Sequence, residues 1–171
     1  MMIRPAGPED STSIFDLLSS AYGQSRYEKK FAPNWVNCFV TNPLIFPSFV
    51  AVDESGDVLG YIVWRIKQVS DDHNMIIELQ ELTARNIKTK LEVEKLLFDE
   101  SPLQIVENVT QLGHDVGRKC SLYIWIHHQD AHNHKSVFFN PQKDYGDFLG
   151  AFERSDARGG MLLLYRQSCE F

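Results

Sequence analysis

No run of apolar residues in this sequence approaches the roughly 18 that a membrane-spanning helix needs, so no membrane partner is expected. The opening MMIRPAGPED lacks the basic-then-apolar plan of an export signal, which points to a cytoplasmic chain. Cysteine is scarce: Cys38, Cys120 and Cys169 are widely spaced and odd in number, a pattern of reduced thiols and not of a disulfide frame. Basic residues do not dominate. Lys and Arg number 17 against 23 Asp and Glu, for a net charge of −6, so nucleic acid is not an expected partner. A small amine or a basic peptide is the easier one. No repeat, low-complexity tract or linker is visible, so residues 1–171 are expected to form a single domain with one sizeable core. Oligomeric state stays open, a homodimer included.

What is present reads as alternating strands and helices. IRPA (3–6) is a short strand before a Gly-Pro break. DSTSIFDLLSSAY sets Ile14, Phe15, Leu17, Leu18, Ala21 and Tyr22 along one helical stripe, with Asp10 or Ser11 as N-cap. RYEKKFAPNWVNCFV is helical only in pieces, because Pro33 interrupts it. SFVAVD (48–53) and VLGYIVWRIK (58–67) flank a Gly-containing turn as a β-hairpin. NMIIELQELTA (74–84) alternates as a strand, with Met75, Ile77 and Leu79 on one face.

Two helices are expected next. One is short, from Leu91 to Phe98. The other takes Ser101 as N-cap and Pro102 at its first position, carries Leu103, Val106, Val109 and Val116 as a stripe, and stops at Gly117. SLYIWI (121–126) is nearly all apolar, hence a buried central strand. GMLLLYRQ (160–167) closes the chain as a strand, and Phe138, Phe139, Phe148 and Phe152 read as core or pocket wall. Strands and helices interleave, which predicts a mixed sheet covered on both faces.

The order β, α, α, β, β, β, α, β, broken helix, β, β resembles the GNAT superfamily of acyl-CoA-dependent N-acyltransferases over nearly the whole chain. The phrases that carry the resemblance are MIRPAGPEDSTSIFDLL, FVAVDESGDVLGYIVW, GRKCSLYIWI and LGAF. It implies an α/β (α+β) fold: three layers, α-β-α, around a mixed, mostly antiparallel sheet of about six to seven strands. It also implies acetyl-CoA as co-substrate, a primary amine as acceptor, and transfer in a ternary complex without a covalent enzyme intermediate.

In that family a phrase (Q/R)-x-x-G-x-(G/A) opens the third helix, its glycines letting main-chain amides close on a pyrophosphate. Here it falls on residues 88–93, where Leu91 and Val93 stand in place of the glycines and Glu92 adds a negative charge. This placement keeps a leucine pair, Leu96 and Leu97, and requires an insertion near FDESP that splits the helix in two. The alternative starts the helix at Ser101, which sets Asp99 and Glu100 beside the phosphates. Arg85, Lys88 and Lys90 can neutralise phosphate as point charges. The resemblance further implies cofactor contacts at Leu82, Thr83, Ala84, Lys88, Thr89 and Lys90, with Asn133 a loose counterpart of a fourth-helix asparagine.

For the chemistry, the family draws its base from the fourth strand, where Glu78 and Glu81 are the carboxylates; on a regular strand they face opposite sides unless a bulge intervenes. Its acid is a tyrosine ahead of the closing GF phrase, matched out of register by Tyr145. HHQDAHNH (127–134) follows the buried strand and gathers four histidines with Asp130, residue types that suit zinc or nickel. Three functions therefore stand side by side: an acetyl-CoA-dependent N-acyltransferase, a GNAT-shaped binding or regulatory module without catalysis, and a metal-binding protein using residues 127–134.

Overall fold

The computed structural model describes residues 1–22, 32–70, 74–114, 119–127, 146–153 and 160–170. Within these, β1 (Met2–Pro5), β2 (Ser48–Val52), β3 (Val58–Ser70), β4 (Asn74–Ala84), β5 (Lys119–His127), β6 (Asp147–Glu153) and β7 (Met161–Glu170) form one sheet. Its order is β1-β2-β3-β4-β5-β7-β6. Neighbours are antiparallel except β4 and β5, which run parallel. The helices are α1 (Ser11–Tyr22), α2 (Ala32–Val40) and α3 (Lys90–Gln111).

The period-2 alternation of the strands divides the core in two. On one face Ile62, Trp64, Ile77 and Leu79 meet Val93, Leu97, Phe98 and Ile105 of α3. On the other, Val50, Tyr61 and Val63 meet Ile14, Leu17 and Leu18 of α1 and Val36 and Phe39 of α2. The result is the expected α-β-α layering. The hairpin between β2 and β3 turns on Gly56, whose φ of 89° suits a residue without a Cβ. Asp53 braces that turn by accepting from the Ser55 and Asp57 amides, and the Asp57 bond leads the effects that lower its pKa.

Several local expectations are corrected. The chain from Lys90 to Gln111 is one 22-residue helix with Pro102 inside it, not two helices. A mid-helix proline forfeits a backbone bond and strains the preceding turn, yet here burial of Phe98, Ser101, Pro102 and Ile105 carries the helix through. Ser101 is no N-cap: its Oγ is buried and accepts from Trp64 Nε1 at 2.8 Å. Leu103 is exposed and lies off the buried stripe. The helix stops at Gly113, with φ of 92°, where His114 N–H bonds Val109 O and Gly113 N–H bonds Thr110 O, a Schellman closure. Gly117 and Val116 lie outside the described residues.

Asp10 does not serve α1 as a cap with its side chain. It accepts two bonds from the Arg4 guanidinium, both 2.8 Å, and one from the Gly7 amide at 2.9 Å. β5 is buried on one face only, its other face half-covered. Phe148 and Phe152 are exposed, not core, because β6 is the sheet's outer edge. Phe138 and Phe139 lie outside the described residues.

Candidate active site

β4 and β5 pair from Asn74–Lys119 to Glu78–Tyr123, then stop pairing, although β4 continues to Ala84 and β5 to His127. Main-chain N–H and C=O groups on that edge of β4 therefore lack a strand partner past Glu78 and call for another. The parted stretch of β4 includes Glu81, Leu82, Thr83 and Ala84.

A bulge sets which side chains face the opening. Register pairs Val63 with Glu81 and Trp64 with Leu79, so Gln80 is an extra residue in β4. One inserted residue flips the alternation. Glu78 and Glu81 consequently share the α1/α2 side of the sheet, correcting the expectation for a regular strand. Their surroundings differ. Lys67 Nζ lies 2.9 Å from Glu78 Oε2 and Gln80 Nε2 donates to Glu78 Oε1 at 2.8 Å, so both oxygens are engaged. Glu81 is half-buried and sits three residues further along β4, in the parted stretch.

The last paired row crosses five strands. Arg65, Glu78, Tyr123, Arg166 and Asp147 are successive register partners on β3, β4, β5, β7 and β6. Arg166 Nη2 donates to Asp147 Oδ2 at 2.7 Å, and its guanidinium is held charged by that bond first and by Tyr123 as well. Sequence reading missed this row because SLYIWI looked uniformly apolar; counting every second residue of β5 would have singled out Tyr123 and Trp125. On the opposite face Cys120 and Cys169 are register partners, 49 positions apart in the chain yet side by side in the sheet. Burial, with Cys169 nearby, pushes the Cys120 thiol up to about 12, which keeps it protonated and unfit as a nucleophile.

At the end of β4 a cavity of about 680 Å³ opens between α1 and the β4–α3 turn, bordered by Ser13, Asp16, Ser20, Ala84, Arg85 and Lys90. That volume suits a small-molecule cleft, whose usual range is about 300–1,000 Å³. Among the described residues, the amides of Lys88, Thr89, Leu91 and Glu92 donate to no main-chain carbonyl outside regular elements, as expected at a helix N-terminus. Thr89 makes no capping bond with its side chain. Lys90 Nζ stands 3.7 Å from the buried Glu94.

Neither Leu91 nor Val93 fills this cavity. Leu91 is exposed, and Val93 is buried under α3 against Gly60 of β3. A Cβ on Gly60 would stand 2.5 Å from Val93 Cγ1 and 2.9 Å from Leu97 Cδ1, so the close approach of helix to sheet is provided by a glycine on the strand. Tyr145, Asn133 and residues 128–134 of the histidine run lie outside the described residues. His127 is described and buried at the end of β5. No metal-holding group of three or more His, Cys, Asp or Glu occurs among the described residues.

No family model matches the sequence, and a search of curated proteins finds no match. Solved structures do match. The aminoglycoside 6'-N-acetyltransferase from Enterococcus faecium is similar over 98% of this chain and 97% of its own, at 16% identity and a TM-score of 0.60. The ribosomal-protein-alanine N-acetyltransferase from Brucella melitensis is similar over 100% of both chains, at 17% identity and a TM-score of 0.61. The chain has the GNAT fold. A GNAT superfamily phosphinothricin acetyltransferase from Sinorhizobium meliloti, in complex with AcCoA, adds a TM-score of 0.56 at 18% identity, over 99% of this chain and 88% of its own. The turn at residues 85–89, which contains no glycine, joins β4 to α3.

Proposed function

We propose that this protein transfers an acyl group, acetyl in the first instance, from acyl-coenzyme A to the nitrogen of a primary amine. The observation that carries this reading is the parting of β4 and β5 beyond Glu78 and Tyr123, on the strand that leads into the N-terminus of α3. An extended amide-bearing arm can bond along the β4 edge at Leu82, Thr83 and Ala84 as a strand would. A diphosphate suits the α3 amides near Thr89 together with the side chains of Arg85 and Lys88. The 85–89 turn contains no glycine, so this is a helix end assisted by side chains and not a glycine nest. Lys90, drawn towards Glu94, contributes from the cavity border.

When bound, the thioester supplies an activated acyl carbon. The chain's own part is to place the amine and move protons. Glu81 suits the base: it lies half-buried in the parted stretch, on the same face of the sheet as Glu78. Glu78 then fixes the floor of the site. The acceptor is a small amine or a basic peptide end, in keeping with the net charge of −6. A second reading, a GNAT-shaped module that binds without catalysis, is favoured by one feature: Glu92 sets a carboxylate in the first turn of α3, where it opposes a phosphate.

Calorimetric titration with acetyl-CoA, followed by thiol release in the presence of primary amines, tests this. Saturable binding with amine-dependent release is expected. Binding without release for any amine class would favour the silent module, and absence of binding at millimolar acetyl-CoA would refute both the transfer reaction and this use of the parted strands.

A further inference from the structure

Beyond the last ladder pair, Glu78 with Tyr123, each lip of the opening carries one large side chain on the α1/α2 side of the sheet. On β4 it is Glu81, the partner of Val63, two residues of β3 away from Arg65. On β5 it is Trp125, two residues past Tyr123 and on the same face by strand alternation. Carboxylate and indole therefore stand at matching depth on opposite lips. Trp125 is half-exposed, and its ring meets Phe152 of β6 edge-on, with centroids 5.4 Å apart at 64°. Register carries this row from Trp125 through Leu164 to Gly150. A Cβ at Gly150 would stand 3.1 Å from Phe152 Cε2, so the Phe152 ring lies back over that glycine towards Trp125. Leu162 and Leu164 of β7, both half-covered, floor the corner.

The carboxylates of the neighbouring row are already matched. Glu78 is held by Lys67 at 2.9 Å, and Asp147 accepts from Arg166 at 2.7 Å. A polycation would gain full pairing here only by breaking such contacts, whereas a ligand with a single ammonium group need not. An apolar body would cover aromatic surface that water now meets. Resting on the function proposed above, we infer that Trp125 and Phe152 select the acceptor: a small primary amine with an aryl or alkyl body. Its nitrogen lies towards Glu81 and its apolar end in the Trp125–Phe152 corner. This narrows the acceptor from amines at large and sets the basic peptide end aside. It also gives the exposed Phe152 ring, on the edge strand of the sheet, a ligand to cover it.

The test uses the full chain and four amines: 2-phenylethylamine, hexylamine, ethylamine and spermidine. Two quantities are read: the calorimetric affinity of each amine for the protein saturated with coenzyme A, and kcat/KM with acetyl-CoA. Wild type is expected to favour 2-phenylethylamine and hexylamine over ethylamine about 10- to 100-fold in both, the worth of burying one such apolar group. It should favour them over spermidine as well. Trp125→Ala should abolish most of that preference, through KM and not kcat. Trp125→Phe, which keeps an aromatic face, should retain most of it. Phe152→Ala should lower the preference about 2- to 10-fold, the worth of one aromatic contact. Phe148→Ala, on the opposite face of β6 and packed on Tyr165, should leave it unchanged.

Failure of the wild-type chain to bind coenzyme A would remove the function proposed above, and this selection with it. Thiol release from acetyl-CoA as fast on ethylamine or spermidine as on 2-phenylethylamine would overturn the selection alone. Selective affinity without thiol release would uphold the corner as an amine site and remove the transfer. Should Trp125→Ala fail to fold, an undiminished preference in Phe152→Ala would overturn the selection equally.

Discussion

The two halves of the sheet are built to different standards. In β2 every residue is buried, and β3 and β4 lie between α3 on one side and α1 on the other. In β6 every residue but Gly150 is exposed, and β7 is half-covered along its length. The first half is a packed scaffold whose side chains are committed to one another. The second is a wall whose other face, with Tyr123 and Trp125, is half-covered. The proposed site lies on the seam, where β4 belongs to the scaffold and β5 to the wall. Rigidity on one side and surface on the other is what a two-substrate reaction needs: one ligand pinned along β4, the other offered variable ground.

Truncation separates the halves most sharply. Leu97→Ala under α3 is expected to cost about 2–5 kcal/mol by cavity formation, read from urea unfolding; a cost below about 1 kcal/mol would mean the scaffold is loosely packed. Gly60→Ala should cost about 1–3 kcal/mol, because Val93 and Leu97 occupy the space its methyl needs. Ser101→Ala is expected to cost about 1–3 kcal/mol by leaving the buried Trp64 N–H without its acceptor. If it proved neutral, the passage of α3 through Pro102 would rest on apolar contact alone.

A smaller effect concerns acid. Burial of Asp10 works against its charge, but the Arg4 hydrogen bond and the Gly7 amide outweigh it and hold its pKa below the ordinary value. A folded pKa below the unfolded one gives stability that is present above the unfolded value, near 3.9, and lost as pH falls through the folded value. The stability difference between wild type and Asp10→Asn should therefore shrink at strongly acid pH. Smallest of all, Phe152→Ala on the edge strand should cost under about 1 kcal/mol, since surface truncations release little buried area.

The sequence made the scaffold legible because its signals are local. Residues 74–84 alternate, and they are the strand β4 to the residue. The wall and the seam depend on contacts that composition does not display. Ser101-Pro102 carries the chemistry of a helix start, and only burial against Trp64 turns it into a helix middle. The bulge at Gln80 reverses which way Glu81 faces, and no residue in ELQEL announces it. Tyr123 was hidden in an apolar run, and Cys120 and Cys169 meet through a register that chain distance cannot reveal. The glycine-free turn was visible from the start. The close approach of α3 to the sheet was not, because the glycine that allows it, Gly60, lies on another strand.

Hydrogen exchange on the full chain, with and without acetyl-CoA, tests the seam most directly. Bound cofactor is predicted to slow exchange at Leu82, Thr83 and Ala84 of β4 and at Leu91 and Glu92 of α3, while amides of β2 stay unchanged. Acetyl-CoA that binds yet leaves those β4 amides exchanging at their free rate would contradict the account, because the parted edge would then not be where the cofactor lies.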